Sequence, residues 1–182
     1  PIGNSCNTFL ISLQNGTNGI THITSFDTEK FNVKIAGEVN IDLDSLINKK
    51  EQNRIDRFTS LAIFASEQAI NNSKILSSNV DKNKIAVIIS SGIGGISTFE
   101  KQHQRLLKNP KLVSPFFIPS MILDIAAGVI SMKYGFKGPN YSVVSACATG
   151  SHSIGNAFKM IQNGDIEVAL AGAAEATITP MA

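Results

Sequence analysis

The chain has 182 residues, 43% hydrophobic and 16% charged, which is ample for one packed core or part of a larger one. Its 16 Lys and Arg are scattered among 14 acids for a net charge of +2, without the basic stripe that nucleic-acid binding needs. The longest apolar stretch, Met121 to Met132, is interrupted by Asp124 and Ser131 and falls short of the roughly 20 residues of a membrane span. No partner of either kind is therefore expected, and no secretory signal is visible. The two cysteines, Cys6 and Cys147, lie too far apart in sequence to suggest a disulfide framework or a metal site. A cytoplasmic setting fits. The chain begins at Pro1 and stops at Ala182 just after an apolar segment, so both ends read as cut.

Residues 1–40 are rich in Asn, Thr, Ser and Gly and read as loop, with short strand-like pieces such as Phe31 to Ile35. A helix is predicted from about Lys50 to Asn72, where Ile55, Phe58, Ala62, Ala65 and Ala69 recur at helical spacing. Ile85 to Ile89 is a continuous apolar run ending in Ser90-Ser91-Gly92-Ile93-Gly94-Gly95, the pattern of a buried parallel strand and its turn. A polar helix follows from about Thr98 to Lys108. Ser120 is placed to cap a further helix, Met121 to Tyr134, apolar nearly all round and so either central or pressed against a partner subunit.

A second strand is predicted from Tyr141 to Val144, then a helix running from the small residues around Gly150 to about Asn163, stopped by Gly164. Val168 to Ala173 is the third strand. Such alternation implies an α/β fold with a mostly parallel central sheet and helices on both faces.

Cys147 sits where an apolar segment turns into a helix. Unpaired backbone N–H groups at a helix N-terminus stabilise a thiolate, and Ala146 and Ala148 leave room for a tight nucleophile-bearing turn. The Cys147 N–H can also donate to the oxyanion formed when a thioester is attacked. The alternative is a small buried hydrophobe, the reading given to Cys6. A cysteine nucleophile needs a proton-transfer partner, and none of the three histidines is well placed. His152 lies about 140° round the helix from Cys147 and reads as a packing or hydrogen-bonding residue. His103 falls in a polar, exposed helix and His22 in an early loop.

Five segments in order then carry a resemblance: Ser91 to Gly95, Ser114 to Ser120, Tyr134 to Pro139, Val144-Ser145-Ala146-Cys147-Ala148-Thr149-Gly150, and Ala171-Gly172-Ala173-Ala174-Glu175-Ala176. Together they resemble the β-ketoacyl-acyl-carrier-protein synthase II family, the elongating condensing enzymes of bacterial fatty acid synthesis. The resemblance implies a thiolase-like fold of two similar halves, of which residues 1–182 match the first, minus its opening strand. It implies that Cys147 carries the acyl group for a Claisen condensation with a malonyl group held on acyl carrier protein, with loss of CO2. The family's two catalytic histidines and its supporting lysine belong to the second half, and no histidine here substitutes for them.

By the same resemblance, Ile93 and Phe117 line the acyl-chain pocket, Phe117 near the dimer interface, against the plainer reading of core packing. Lys50, Arg54, Lys108 and Lys111 fall where the family presents basic side chains to the acidic carrier protein, against the plainer reading of solvated charge. A homodimer is implied, with no cofactor and no metal. Alternatives are a polyketide or initiating-type ketosynthase, or a non-catalytic fragment. Gly92 to Gly95 is a backbone turn, because a dinucleotide fingerprint needs a third glycine where Ser97 stands.

Overall fold

The computed structural model describes residues 1–182, and its first element is a helix where sequence predicted loop. Ser5 caps α1 (Cys6–Gln14): its hydroxyl accepts from Thr8 N at 3.2 Å while the Thr8 hydroxyl accepts from Ser5 N at 3.0 Å. This reciprocal capping box defines the helix. Burial does not, since no residue of α1 is buried. Cys6, at its first position, is exposed and is not the buried hydrophobe expected.

Two short antiparallel strands follow, β1 (Thr21–His22) and β2 (Ile35–Ala36). Only the last residue of the expected Phe31–Ile35 piece is strand, and His22 lies in β1 instead of a loop. Glu38 fastens the pair, accepting from Thr24 N at 2.9 Å, Thr24 Oγ1 at 2.8 Å and Ser25 N at 3.0 Å. Hydrogen bonding to Ser25, then to Thr24, holds the carboxyl at about 2, down from 4.5. A group whose folded value is depressed stabilises the fold above its unfolded value and loses that contribution as pH falls toward the folded one. Wild-type stability should therefore decline from pH 4.5 to about 2. Glu38→Gln should be less stable near neutrality and show a flatter acid limb in pH-dependent urea titrations. Superimposable acid limbs would count against this.

The helix predicted from Lys50 to Asn72 is two helices, α2 (Lys49–Gln52) and α3 (Arg57–Ser73). The break comes from Asp56, whose backbone is extended (φ −79°, ψ 166°) and whose carboxylate accepts from Phe58 N at 3.2 Å. The buried stripe of α3 is Phe58, Ala62, Ser66 and Ile70, with Ile63 beside it, while Ala65 and Ala69 are exposed.

β3 (Ile85–Ser90) is buried throughout. α4 (Ile96–Lys108) starts two residues before the predicted Thr98. The apolar helix predicted from Met121 to Tyr134 is also divided, into α5 (Phe117–Met121) and α6 (Ile125–Tyr134). Ser120 is no cap. It lies inside α5, with its hydroxyl 2.7 Å from Arg54 O and 2.6 Å from Phe116 O. α6 buries Ala126, Ala127 and Ile130 but leaves Met132 exposed, so it is one-sided.

Tyr141 to Val144 is not a strand. The segment runs beside β3 with Val87 N donating to Pro139 O at 2.9 Å and Tyr141 N to Val87 O at 3.4 Å. Val143 N then donates to the Ser90 side chain at 2.9 Å, where a ladder would use a backbone carbonyl. α7 (Thr149–Gln162) ends before Gly164, whose φ of +79° suits the left-handed turn that stops it. β4 (Val168–Ala173) pairs parallel with β3, from Ile85↔Val168 to Ser90↔Ala173.

Alternate residues of β3 face opposite ways. Ile85, Val87 and Ile89 join Phe58, Ile63 and Ile130 in the larger core, between the strand and helices α3 and α6. Ala86 and Ile88 pack with Ala157 and Ile166 on the α7 side. Burial on both faces is why the run is apolar without alternation. The expected α/β class with a parallel sheet and helices on both faces holds, with two parallel strands where three were predicted.

Candidate functional site

β3 and β4 end side by side, and the turns that follow them meet the start of α7. Ala146 adopts φ +48°, left-handed backbone that only one other non-glycine residue of the chain, Lys74, enters. For an alanine this costs about 1–2 kcal/mol and persists only where the surroundings impose it. Those surroundings centre on Ser145. Its N–H donates to Thr149 Oγ1 at 3.0 Å, its carbonyl accepts from Ala148 N at 3.0 Å, and its hydroxyl lies 2.6 Å from His152 Nδ1. α7 is in turn pinned to the sheet, since buried Ser153 places its hydroxyl 2.7 Å from Ser90 Oγ.

Cys147 occupies the single tight turn Ala146–Ala148 that feeds α7. Its thiol is free and exposed, and its backbone N–H is engaged by no acceptor in the chain. The thiol therefore faces open space at a helix N-terminus, with one unpaired donor beside it.

A cavity of about 410 Å³ opens over the thiol, lined by Gly92, Ile93, Ala146, Cys147, Gly150 and Glu175 among others. Its other wall is the turn after β3, held by a residue just after β4. Glu175 accepts from Ser91 Oγ at 2.9 Å, Gly92 N at 2.8 Å and Ile93 N at 3.3 Å. Gly92 permits this approach, because a Cβ there would lie 2.9 Å from Glu175 Oε2 and 3.5 Å from Ala146 O. A larger cavity of about 620 Å³ on the far side of Glu175 is lined by Arg57, Glu100 and Lys101 among others and contains no cysteine or histidine.

Of the residues singled out from sequence, the fold brings Ile93 and Cys147 together. Phe117 is elsewhere: it packs against Phe99 with ring centroids 6.3 Å apart and does not line the Cys147 cavity. Lys50, Arg54, Lys108 and Lys111 are all exposed. None of the four is in an ion pair, the only pairs being Lys49–Asp44 and Lys133–Glu67. The Arg54 guanidinium sits 4.5 Å from the Phe116 ring centroid. No histidine lines the cavity: His103 is exposed and stacked on Phe99, and His152 is hydrogen-bonded to Ser145, in line with its sequence reading. The sequence reading assigned Glu175 no role. A lone acid in a run of Ala and Gly directly after an apolar strand is the signal that marks it.

The sequence pattern of the family described as Beta-ketoacyl synthase, N-terminal domain, matches residues 1–182. The 3-oxoacyl-(acyl-carrier-protein) synthase 2 of Staphylococcus aureus strain N315 is 46% identical over 184 residues, covering all of this chain and 44% of that protein. The chain thus spans under half the length of such relatives. A beta-ketoacyl synthase from Burkholderia phymatum has the same fold, with a TM-score of 0.83 over 99% of this chain and 45% of that one at 22% identity. A structure of a type II PKS acyl-carrier protein in complex with its ketosynthase bound to the hexaketide matches 79% of this chain and 41% of that one. Its TM-score is 0.73 at 26% identity. Matched from end to end by the family pattern and sharing the thiolase-like fold of ketosynthases, the chain belongs to the beta-ketoacyl synthase family, as its N-terminal domain.

Proposed function

We propose that these 182 residues are the nucleophile-bearing part of a fatty-acid-elongating 3-oxoacyl-(acyl-carrier-protein) synthase. The observation that carries the reading is the exposed Cys147 thiol on the left-handed Ala146 turn, with its own N–H unpaired. The 46% identity to a synthase of fatty acid synthesis, against 26% for the polyketide complex, favours elongation over polyketide chemistry.

In this reading the Cys147 thiolate attacks the carbonyl carbon of an acyl thioester on carrier protein. The carrier thiol leaves, and the acyl group is held as a Cys147 thioester. A malonyl thioester on a second carrier then loses CO2, and the resulting carbanion attacks the acyl carbonyl. Cys147 departs as thiolate, leaving a β-ketoacyl carrier two carbons longer. The Cys147 N–H donates to the oxyanion of each tetrahedral intermediate. The histidines that assist decarboxylation in the family lie outside these residues. Ile93 lines the entry of the acyl chain. Exposed, unpaired Lys50, Arg54, Lys108 and Lys111 supply positive charge for an acidic carrier protein. The working enzyme is a cytoplasmic homodimer. No helix of the chain is long and apolar enough to cross a membrane.

A thiol-directed inhibitor of condensing enzymes tests the assignment. Peptide mapping should find it on Cys147, with the adduct gone in Cys147→Ala. Equal labelling of the variant, on exposed Cys6 for instance, would sink the assignment.

A further inference from the structure

The Cys147 cavity is built on a carboxylate that the condensation chemistry does not use. Glu175 stands two residues beyond β4, yet it organises the turn that follows β3. Oε1 accepts from Ser91 Oγ at 2.9 Å, and Oε2 accepts from Gly92 N at 2.8 Å and Ile93 N at 3.3 Å. Ser91, fully buried, accepts in turn from Gly94 N at 2.8 Å. Donors from four successive residues are thus ordered, directly or through one hydroxyl, around a single negative charge. Consecutive backbone N–H groups cradle an anion in this way. No Lys or Arg pairs with Glu175, so the turn's own dipoles hold the charge.

The consequence falls on Ile93. Its N–H is one of the donors, the residue is 53% exposed, and it lines the cavity over the thiol. Its backbone is tied to Glu175 at 3.3 Å, so the carboxylate bears directly on where Ile93 stands in that cavity. Gly92 lies beside the nucleophile's turn, since a Cβ added there would come 3.5 Å from the Ala146 carbonyl oxygen.

We infer that Glu175 is a positioning residue that sets Ile93 against the Cys147 thiol and thereby governs which acyl-chain lengths the thiol accepts. The inference rests on the acyl-acceptor reading of Cys147. It differs from a structural role for Glu175, which would scale all acyl groups alike.

The test is a competition on the purified chain between a short and a long acyl-carrier thioester, read as peptide-resolved occupancy of Cys147. Glu175→Gln keeps the size but removes the charge and leaves one acceptor oxygen for three donors. It should shift the long-to-short ratio by roughly tenfold, the scale of one charge-assisted hydrogen bond. Ser91→Ala, which removes one donor, should move the ratio the same way by less. In the Glu175→Gln background, Ile93→Ala should add much less than it does alone, because the two act through one contact. An acylated wild type with an unchanged ratio in Glu175→Gln, or full additivity with Ile93→Ala, overturns the role of Glu175 alone. A wild type that iodoacetamide alkylates at Cys147 but no thioester acylates overturns the acyl-acceptor reading and this inference with it.

Discussion

Asp56→Ala should destabilise the chain by about 3–5 kcal/mol, from the loss of two helix caps and of the acceptor for three donors away from bulk water. Asp56 is 2% exposed. Its Oδ1 caps α3 through Phe58 N at 3.2 Å, and its Oδ2 accepts from Ser97 Oγ at 2.9 Å and Thr98 N at 2.8 Å in the first turn of α4. The N-cap position of α4 is Gly95, which has no side chain to cap with, so a residue 39 positions earlier than Gly95 performs that task. A Cβ at Gly95 would sit 3.1 Å from Asp56 Oδ2, leaving little room for any other residue there. Removing the carboxylate leaves all three donors without an acceptor, Phe58 N in the core and the other two half-buried. Urea unfolding should show a lower midpoint with an unchanged slope. Asp56→Asn, which keeps one acceptor, should lose only about 1–2 kcal/mol. A loss below about 1 kcal/mol for the alanine variant would mean that water replaces the carboxylate and the cap is dispensable.

Gly94→Ala should cost about 2–5 kcal/mol by combining two effects. Gly94 has φ +76°, and left-handed backbone costs alanine about 1–2 kcal/mol. A Cβ there would also lie 2.6 Å from Met121 O, a fixed backbone atom, and relieving that overlap adds about 1–3 kcal/mol. Gly16→Ala separates the terms, since Gly16 has φ +63° and nothing within 4 Å of its added Cβ. It should show the conformational cost alone. Because Gly94 belongs to the turn that Glu175 organises, Gly94→Ala should also slow acylation of Cys147, whereas Gly16→Ala should not. Equal thermal shifts for the two variants would show that the turn moves away from Met121 at no cost.

The elements that sequence revealed are those whose cause is local. Ile85–Ser90 is apolar because both faces are covered, and half-buried Val168–Ala173 because its alternate residues pack against the two cores; such runs need no partner to be seen. The Cys147 turn was visible for a similar reason: small residues separate an apolar segment from a helical period. Gly164 marks its helix end through its own backbone freedom.

What escaped depends on residues distant in sequence. The period of Ile55, Phe58 and Ala62 runs straight through Asp56, whose cap of Phe58 N is reinforced by bonds to Ser97 and Thr98, 41 and 42 residues on. Tyr141 to Val144 has strand composition, but the third bond along β3 goes to the Ser90 hydroxyl and not to a carbonyl. Helix α1 was overlooked because its signal is a Ser5–Thr8 cap and not an apolar face turned to a core. At the site, Ile93 and Cys147 share a cavity while Phe117 does not, since an apolar side chain encodes burial but not which pocket receives it. Glu175 stands in a legible small-residue segment, yet its three donors lie more than 80 residues away.

Intact-mass spectrometry of the chain after exposure to an acyl-carrier thioester, followed by peptide mapping, tests the central claim. One acyl group should be found on Cys147, none on Cys6, which is also exposed, and none anywhere in Cys147→Ala. An acyl group on Cys6 instead, or an acylated Cys147→Ala chain, would contradict the claim that the Ala146 turn and the start of α7 make this thiol the acyl acceptor.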